Sequence, residues 1–420
     1  MFDVSEFNIT LGVLSLFTIF LSLSFLFKSK LSTFFDPLNY HLFWISAHFA
    51  FFIIYVERYG SNIFLIIFTF TFIVYLVFLY NFLKPISKRY ICAIPEARNV
   101  LFMMLLFLFT LFLISNYSFW EFLSSRPIHE WPLYRYEALQ GRDPFFRILK
   151  LGVTPLFLFC AFYCFVILKL HRYMVGVMIL VYLFIMLSSG GRSSLIGLVF
   201  FVGTFIYFYF PLIEKKFLRR FLSVAFLLIV AGLSMAIVVT SLFTQTPFET
   251  AMVTIFNRVF ASADGLYYYM QYDGYESIDS GLDSYFYSFA GVYLKSLFGF
   301  EYTNIGQQLT ELVVGRVGFA QGANYTVALQ VMVVGLIWLP VYLALQTYLV
   351  VKMREATPFR STNQGLMKHL ICFSLVLLST RIIMDLEFVV LRAISIIVVI
   401  LFVVWPFYIF LKLFRMAIVK

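Results

Sequence analysis

The chain consists of long apolar runs separated by short polar or charged segments. A membrane-spanning helix needs about 20 mostly apolar residues, and about eleven runs approach that length. Only 12% of the 420 residues are charged, whereas a soluble domain has about 25%. The sequence therefore predicts an all-α, polytopic membrane bundle forming a single membrane domain over residues 1–420. The predicted spans are 8–27, 40–56, 62–83, 99–119, 149–168, 173–189, 193–213, 218–243, 325–351, 367–384 and 389–411.

Most of the 31 Lys and Arg residues fall on one side of these spans. Because cytoplasmic loops carry an excess of Lys and Arg, this side is predicted to be the cytoplasm, with the N-terminus outside and the C-terminus inside. Two long segments then lie outside: a large loop over residues 244–324, expected to contain short helices, and a second loop over residues 120–148. The net charge of +10 is explained by this topology and does not indicate a nucleic-acid partner.

The sequence lacks the motifs that would supply chemical energy from inside the cell. It has no GxxxxGK[ST] run for ATP, and no cytoplasmic segment is long enough for a nucleotide-binding domain. Energy or an activated group must therefore come with the substrate, and no cofactor is expected. The four cysteines lie in or beside apolar runs, so we predict neither a disulfide nor a cysteine-based metal site.

Arginines at the predicted outer ends of helices are the strongest candidates for a site, because Arg near hydrocarbon is costly and usually has a partner. Arg192 lies in the turn SSGGRSS (188–194), where Ser193 or Ser194 could cap the next helix and leave a positive helix end for an anion. A helix hairpin with a snorkelling Arg is an equal alternative. Arg258 opens the large loop, six residues before Asp264.

Near the end of the chain, Arg381 and Asp385 are spaced four residues apart and so are predicted to share one helix face. An ordinary ion pair would explain this pair alone. Arginines at the ends of several separate helices indicate more, because a guanidinium binds phosphate oxygens in a bidentate manner and does not deprotonate. An extracytoplasmic pyrophosphate is the ligand that they would suit.

The large loop is rich in tyrosine, whose apolar face and hydroxyl tip suit sugar rings. Within it, residues 265–270 (GLYYYM) predict a short amphipathic helix lying at the membrane surface. We therefore expect the loop to cover an arginine-lined cavity and to bind glycan.

Three of these features together resemble the Wzy-type O-antigen and polysaccharide repeat-unit polymerases. They are the SSGGRSS turn, the loop opening with Asn-Arg-x-Phe (257–260), and the late Arg-x-x-x-Asp (381–385), and the resemblance covers most of residues 180–400. Members of that family are GT-C-type glycosyltransferases of the bacterial inner membrane that act in lipopolysaccharide biosynthesis. They transfer a glycan from undecaprenyl pyrophosphate to another lipid-linked repeat unit on the periplasmic side.

The resemblance implies roles for individual residues. Arg192, Arg258 and Arg381 would bind the donor pyrophosphate, with Arg316 as a further phosphate or sugar contact. A carboxylate would accept the proton of the attacking hydroxyl, and the candidates in order are Asp385, Asp264 and Glu311. The reaction would be inverting and independent of metal. Implied partners are the undecaprenyl-pyrophosphate-linked oligosaccharide, membrane lipid and a Wzz-type chain-length regulator.

Other classes of membrane protein remain alternatives. O-antigen ligases share the donor chemistry and transfer the glycan to the lipid A core, but they typically carry a His-Asn pair before the helix that follows the large loop. This chain has Ala323-Asn324 there, which favours a polymerase. A lipid-linked oligosaccharide flippase would need charges along a path across the bilayer, whereas those found here cluster at one face. A non-catalytic scaffold would need no arginine cluster.

Overall fold

In the computed structural model, all regular structure among the described residues is helical. The structure describes residues 7–84, 93–96, 98–127, 144–188, 192–216, 218, 259–287, 303, 305–315, 323–356, 365–384 and 386–418. Seven helices in these ranges are long and apolar enough to cross a membrane, as expected of a helical membrane protein. They are Ile9–Leu26, Pro37–Tyr59, Ile63–Phe82, Arg98–Ser115, Phe145–Leu168, Leu336–Arg354 and Leu386–Phe414.

The α-helices are numbered here in chain order. They are α1 (Ile9–Leu26), α2 (Pro37–Tyr59), α3 (Ile63–Phe82), α4 (Arg98–Ser115), α5 (Tyr117–Ser125), α6 (Pro144–Phe162), α7 (Arg172–Ser188), α8 (Arg192–Tyr209), α9 (Asp264–Gln271), α10 (Gly274–Ser277), α11 (Ile305–Val314), α12 (Val327–Val334), α13 (Leu339–Arg354), α14 (Leu366–Ser379), α15 (Leu386–Val399) and α16 (Trp405–Ile418). Two π-helical segments, Tyr163–Leu168 and Ile400–Val404, follow α6 and α15 directly.

Every predicted span overlaps helix in the structure except 218–243, which lies outside the described residues apart from residue 218. Three of these helices contain apolar stretches that are shorter than a full span, namely Arg172–Met186, Gly197–Leu212 and Leu366–Ser379. The short helices expected in the large loop are present as α9, α10 and α11. The number of about eleven spans and the N-out, C-in orientation stay predictions.

The prediction of one helix over residues 325–351 is wrong. Gly335 has a φ of 106°, a conformation that residues with a Cβ rarely adopt, and its N–H bonds the Val331 carbonyl 3.0 Å away. α12 therefore ends at Val334, a short 3₁₀ turn follows over Leu336–Trp338, and α13 begins at Leu339. Two successive helices thus replace the single span.

The predicted span 367–384 is also shorter than expected, because α14 ends at Ser379. The Ser379 carbonyl, one of the terminal groups that the helix itself cannot satisfy, contacts Nε2 of His41 at 2.5 Å. The chain then turns, and the Met384 N–H bonds the Arg381 carbonyl at 3.0 Å. Arg381 therefore lies in a turn, so the prediction that it shares a helix face with Asp385 is wrong. Asp385 itself lies outside the described residues.

The chain divides into two compact units, each built from discontinuous segments. The first comprises Met1–Ser87, Glu214–Lys352 and Ser379–Phe388, and the second comprises Lys88–Ile213, Met353–Leu378 and Val389–Lys420. The single membrane domain that the sequence indicates stays a prediction.

In the first unit, α2 is buried around most of its circumference. A helix that buries its whole surface needs neighbours on every side or hydrocarbon around it, which suits the interior of a membrane bundle. α1 packs along α2, and a Cβ at Gly12 would stand 3.4 Å from Ile54 of α2 and 3.0 Å from the ring of Phe260. Phe260, four residues before α9, thus lies against the first helix pair.

In the second unit, α4, α6 and α15 pack at close range. A Cβ at Gly152 would stand 2.5 Å from the Ser395 carbonyl oxygen, and the rings of Phe112 and Phe157 stack with centroids 5.3 Å apart. A polar contact fixes one end of this unit. Oε1 of Glu96 accepts hydrogen bonds from the Leu366 N–H at 2.7 Å and from the Tyr408 hydroxyl at 2.5 Å.

Candidate functional site

The tyrosine-rich stretch 265–270 is helical, as predicted, and forms most of α9. Its tyrosines are buried, however, so the expected surface helix is wrong in that respect. Tyr267 packs on Phe7 with ring centroids 6.1 Å apart, and Tyr269 packs on Phe64 of α3 at 5.3 Å. Gln271 donates a hydrogen bond to the Tyr55 hydroxyl at 2.7 Å. α9 is therefore anchored to protein along its length.

Burial has an electrostatic consequence for Tyr269. Loss of solvent raises the pKa of its hydroxyl above the ordinary value, with a smaller contribution from Tyr275. Other aromatic side chains of the large loop are exposed within the described residues. These are Tyr272, Tyr275, Phe286 and Tyr287.

Asp264, the first residue of α9, is bonded to a segment 60 residues further along the chain. Its Oδ1 accepts from the Asn324 N–H at 2.8 Å, from Nδ2 of Asn324 at 3.1 Å, and from the Gly265 N–H at 2.7 Å. Hydrogen bonds to a carboxylate favour its charged form and make it a weaker base. Asp264 thus fixes Asn324 on both its main chain and its side chain.

Two glycines bring helices of the large loop onto this same segment. A Cβ at Gly265 of α9 would overlap the Asn324 carbonyl oxygen, and one at Gly306 of α11 would overlap the Ala323 carbonyl oxygen. The Ala323 N–H also bonds the Gly306 carbonyl at 2.8 Å. Such close backbone approach leaves room only for glycine. Residues 323–327, which we call the junction segment, are therefore held between α9 and α11.

The junction segment is also bonded to the turn that carries Arg381. The Val327 N–H, at the start of α12, donates to the Ile383 carbonyl at 3.2 Å. The Arg381 guanidinium lies over the ring of Phe388, 5.9 Å from its centroid. Arg381 thus lies two residues along the chain from Ile383, whose carbonyl contacts the start of α12.

One predicted site residue, Asp264, bonds to the junction segment directly. Glu311 lies five residues after Gly306 on the helix that packs there, and Arg381 lies two residues before Ile383, whose carbonyl accepts the Val327 N–H. Glu311 is partly exposed. The approach of these residues from positions 264, 311 and 381 is a tertiary feature that no local motif contains.

The other predicted site residues lie elsewhere or outside the described ranges. Arg192 is the first residue of α8 and belongs to the second unit. Ser193 and Ser194, expected as caps, fall inside that helix, a difference within the ordinary scatter of helix ends. Arg258, Arg316 and Asp385 lie outside the described residues.

A chain of hydrogen bonds beside the junction segment, which we call the polar chain, was not predicted from the sequence. The Tyr285 hydroxyl donates to the Tyr342 hydroxyl at 2.9 Å, and Tyr342 donates to Oε1 of Gln330 at 2.6 Å. The Gln330 side chain in turn donates to the Tyr325 carbonyl at 2.7 Å, and Gln346 donates to Gln330 at 2.9 Å. Gln330 and Tyr342 lie on different sides of the break at Gly335, so the polar chain joins α12 to α13.

The same polar chain connects the large loop to the two helices. The Gly281 N–H bonds the Val333 carbonyl at 2.7 Å, giving a second attachment near Tyr285. Burial raises the pKa of Tyr285 to about 12, the Glu387 charge adds to the rise, and the bond with Tyr342 opposes it. Tyr285 therefore keeps its proton at neutral pH and can act as the donor of this bond.

An apolar groove of about 630 Å³ lies in the second unit between α4, α5 and α7. None of the predicted site residues lines it. In sequence, α5 includes the first residues of the second outer loop, which is predicted over residues 120–148. Most of that loop lies outside the described ranges. The lining residues are Phe109, Leu113, Ile114, Tyr117, Trp120, Met174, Val177, Met178 and Val181.

The described fold is that of a helical membrane protein. The charged Asp264 and the polar Asn324 are bonded to each other just before the start of α12. Comparisons with protein-family models, curated proteins and solved structures find no match to this chain. Within the described ranges, no group of three His, Cys, Asp or Glu side chains could hold a metal ion.

Proposed function

We propose that the protein polymerises undecaprenyl-pyrophosphate-linked oligosaccharide repeat units into O-antigen or a related surface polysaccharide, at the periplasmic face of the bacterial inner membrane. The observation that carries this proposal is the meeting of Asp264, the helix of Glu311 and the turn of Arg381 at the junction segment. These residues were selected for their place in a polymerase-like sequence pattern. Their approach in space supports a common site.

The chemistry needs positive charge beside the donor pyrophosphate. As the sugar–phosphate bond breaks, undecaprenyl pyrophosphate leaves with the bonding electron pair, and fixed cations stabilise the charge that develops on it. Arg381 is proposed for this task, since it lies in the turn whose Ile383 carbonyl bonds the start of α12, a helix end with partial positive charge. Arg258 and Arg316 are proposed as further contacts on the same anion, and the role of Arg192 stays a prediction from the sequence resemblance. Because arginine stays protonated, the mechanism needs no metal ion for this step.

The acceptor needs a base on the other side of the sugar. The acceptor hydroxyl gives its proton to a carboxylate while its oxygen forms the bond to the anomeric carbon, with inversion. The three N–H donors on Asp264 make it a weak base and support a positioning role for it instead. Asp385 followed by Glu311 are then the candidates for the base.

The membrane arrangement in this proposal is the one that the charges predict. Asp264 and Glu311 belong to the predicted outer loop, and Arg381 lies at the predicted outer end of a span, which is compatible with a site on that side. Undecaprenyl carriers present their glycan on that side. A Wzz-type chain-length regulator is the proposed protein partner.

Purified protein in lipid nanodiscs, incubated with a lipid-linked repeat unit, tests the proposal directly. We expect a ladder of lipid-linked products that differ by one repeat unit. Transfer to lipid A core would instead identify a ligase, and movement of unchanged lipid across the bilayer would identify a flippase. The variant Arg381→Ala should abolish the ladder because it removes a charge at the junction segment.

Arg126→Ala is the matched control for that variant. Arg126 also falls in a predicted outer loop, but it lies at the end of α5 with its guanidinium over the Phe122 ring. Its loss should leave the ladder unchanged. Equal polymerisation by wild type and Arg381→Ala would contradict the proposed mechanism.

A further inference from the structure

Thr326 has a hydroxyl group with no role in the fold. The residue is fully buried, and its Oγ1 finds no hydrogen-bond partner among the described residues. It occupies the N-cap position of α12 with extended backbone angles, where a threonine hydroxyl ordinarily accepts a bond from the first turn. Here the side chain makes no such bond. A buried hydroxyl without a partner is costly, so its presence calls for a ligand or a water molecule.

The surroundings of this hydroxyl favour an anion over a neutral or positive ligand. The first turn of a helix has N–H groups without partners inside the helix, and α12 bonds only its Val327 N–H to the neighbouring turn in a contact that the structure gives. The helix dipole places partial positive charge at the same end. Arg381 lies two residues from the carbonyl that receives the Val327 bond, and its guanidinium lies over the Phe388 ring.

Asp264, the acidic group bonded to the junction segment, does not counter this reasoning. It reaches the segment at Asn324, two residues before Thr326, and its Oδ1 is already occupied by three N–H donors. Those donors offset part of its negative charge locally. The start of α12 therefore combines a hydroxyl donor with the positive end of a helix, and both groups suit phosphate oxygens.

We propose that Thr326 is a binding residue for a phosphate group, donating its hydroxyl proton to a pyrophosphate oxygen held at the start of α12 beside Arg381. This inference rests on the proposed function in assigning that phosphate to the lipid-linked donor. The first residues of α12 are buried, and α9 lies against them where Gly265 approaches Leu329. Binding of a phosphate therefore requires this packing to open.

Thr326→Val separates binding from folding. Valine has nearly the same shape, and the lost hydroxyl makes no bond within the described structure, so the thermal midpoint of the variant without ligand should equal or exceed that of wild type. Thr326→Ser keeps the hydroxyl and should bind as wild type does. Thr347→Val is the matched control, because Thr347 is also fully buried but bonds its own helix carbonyl at 2.6 Å.

The probe is inorganic pyrophosphate, titrated into the full-length protein in nanodiscs by calorimetry, with a polyprenyl pyrophosphate as the second arm. Loss of one hydrogen bond to a charged ligand should weaken binding of both by about tenfold in Thr326→Val. Tighter binding of the polyprenyl form identifies a lipid-linked donor, whereas equal binding identifies a free anion at the same contact.

Three results would overturn the inference. The first is unchanged pyrophosphate affinity in Thr326→Val, and the second is no pyrophosphate binding in wild type. The third is a lowered midpoint of Thr326→Val without ligand, which would give the hydroxyl a structural role. Hydroxyl-dependent pyrophosphate binding without any ladder from lipid-linked repeat units would leave the phosphate contact standing and reject the polymerase. A ladder unaffected by Thr326→Val, together with unchanged affinity, would reject this contact alone.

Discussion

Gly306 is the position where one added methyl group should most directly disturb the junction segment. α11 approaches the segment so closely that the new Cβ would overlap the Ala323 carbonyl oxygen and stand 3.3 Å from the Ala323 nitrogen. The Ala323 N–H also bonds the Gly306 carbonyl at 2.8 Å. In Gly306→Ala the two backbones must therefore separate, and the position of Glu311 on the same helix changes with them.

The energetic balance predicts a net loss. Alanine favours a helix over glycine by about 1 kcal/mol. Overpacking against fixed backbone costs about 1–3 kcal/mol, and weakening the Ala323–Gly306 bond costs about 1 kcal/mol more. The variant should therefore be about 1–3 kcal/mol less stable than wild type. It should also lose most polymerisation activity, because the groups around Ala323 no longer meet in the same geometry.

Thermal unfolding in nanodiscs, followed by intrinsic fluorescence, measures the stability change. Gly176→Ala is the matched control, because it lies within α7 and the nearest atom to a new Cβ is 4.0 Å away. That variant should gain stability from its helix propensity. A midpoint for Gly306→Ala at or above that of wild type would refute the reasoning, as would an equal loss in Gly176→Ala.

Three further predictions follow from side-chain contacts. Asp264→Asn keeps an acceptor for Asn324 and should lower the free energy of unfolding by about 1 kcal/mol, whereas Asp264→Ala should lower it by about 2–4 kcal/mol. An equal loss of activity in the two variants without this difference in stability would contradict the positioning role and indicate a base. Tyr342→Phe should lower the thermal midpoint more than Tyr285→Phe, because it breaks two hydrogen bonds instead of one, and the reverse order would contradict the observed donor sequence. Glu96→Gln should lower the midpoint by weakening two bonds at once, and an unchanged value would show that the carboxylate is dispensable.

The positions of most helices could be predicted from the sequence, because a chain in hydrocarbon must satisfy its backbone groups within each segment. Runs of apolar residues therefore identify helices with little help from neighbours. The failures occur where tertiary contacts compete with this rule. α14 ends early where His41 contacts its last carbonyl, and the span after the large loop breaks at Gly335.

The candidate site was only partly predictable. The types of its residues follow from the chemistry of pyrophosphate and glycan, so Asp264, Glu311 and Arg381 could be selected from the chain. Thr326 could not, since a threonine before an apolar run is ordinarily a helix cap. Its significance depends on a missing capping bond, which only coordinates reveal.

The sequence by itself determined that this is a helical membrane protein, because its apolar runs leave no other way to satisfy the backbone. It also indicated which charged residues are candidates for a site outside the bilayer. The tertiary structure alone decided that residues 264, 306, 324 and 381 meet around one short segment. The reason is physical: contacts between distant segments depend on close backbone packing at Gly265 and Gly306 and on hydrogen bonds to Asn324 and Val327. Apolar periodicity carries no record of these contacts.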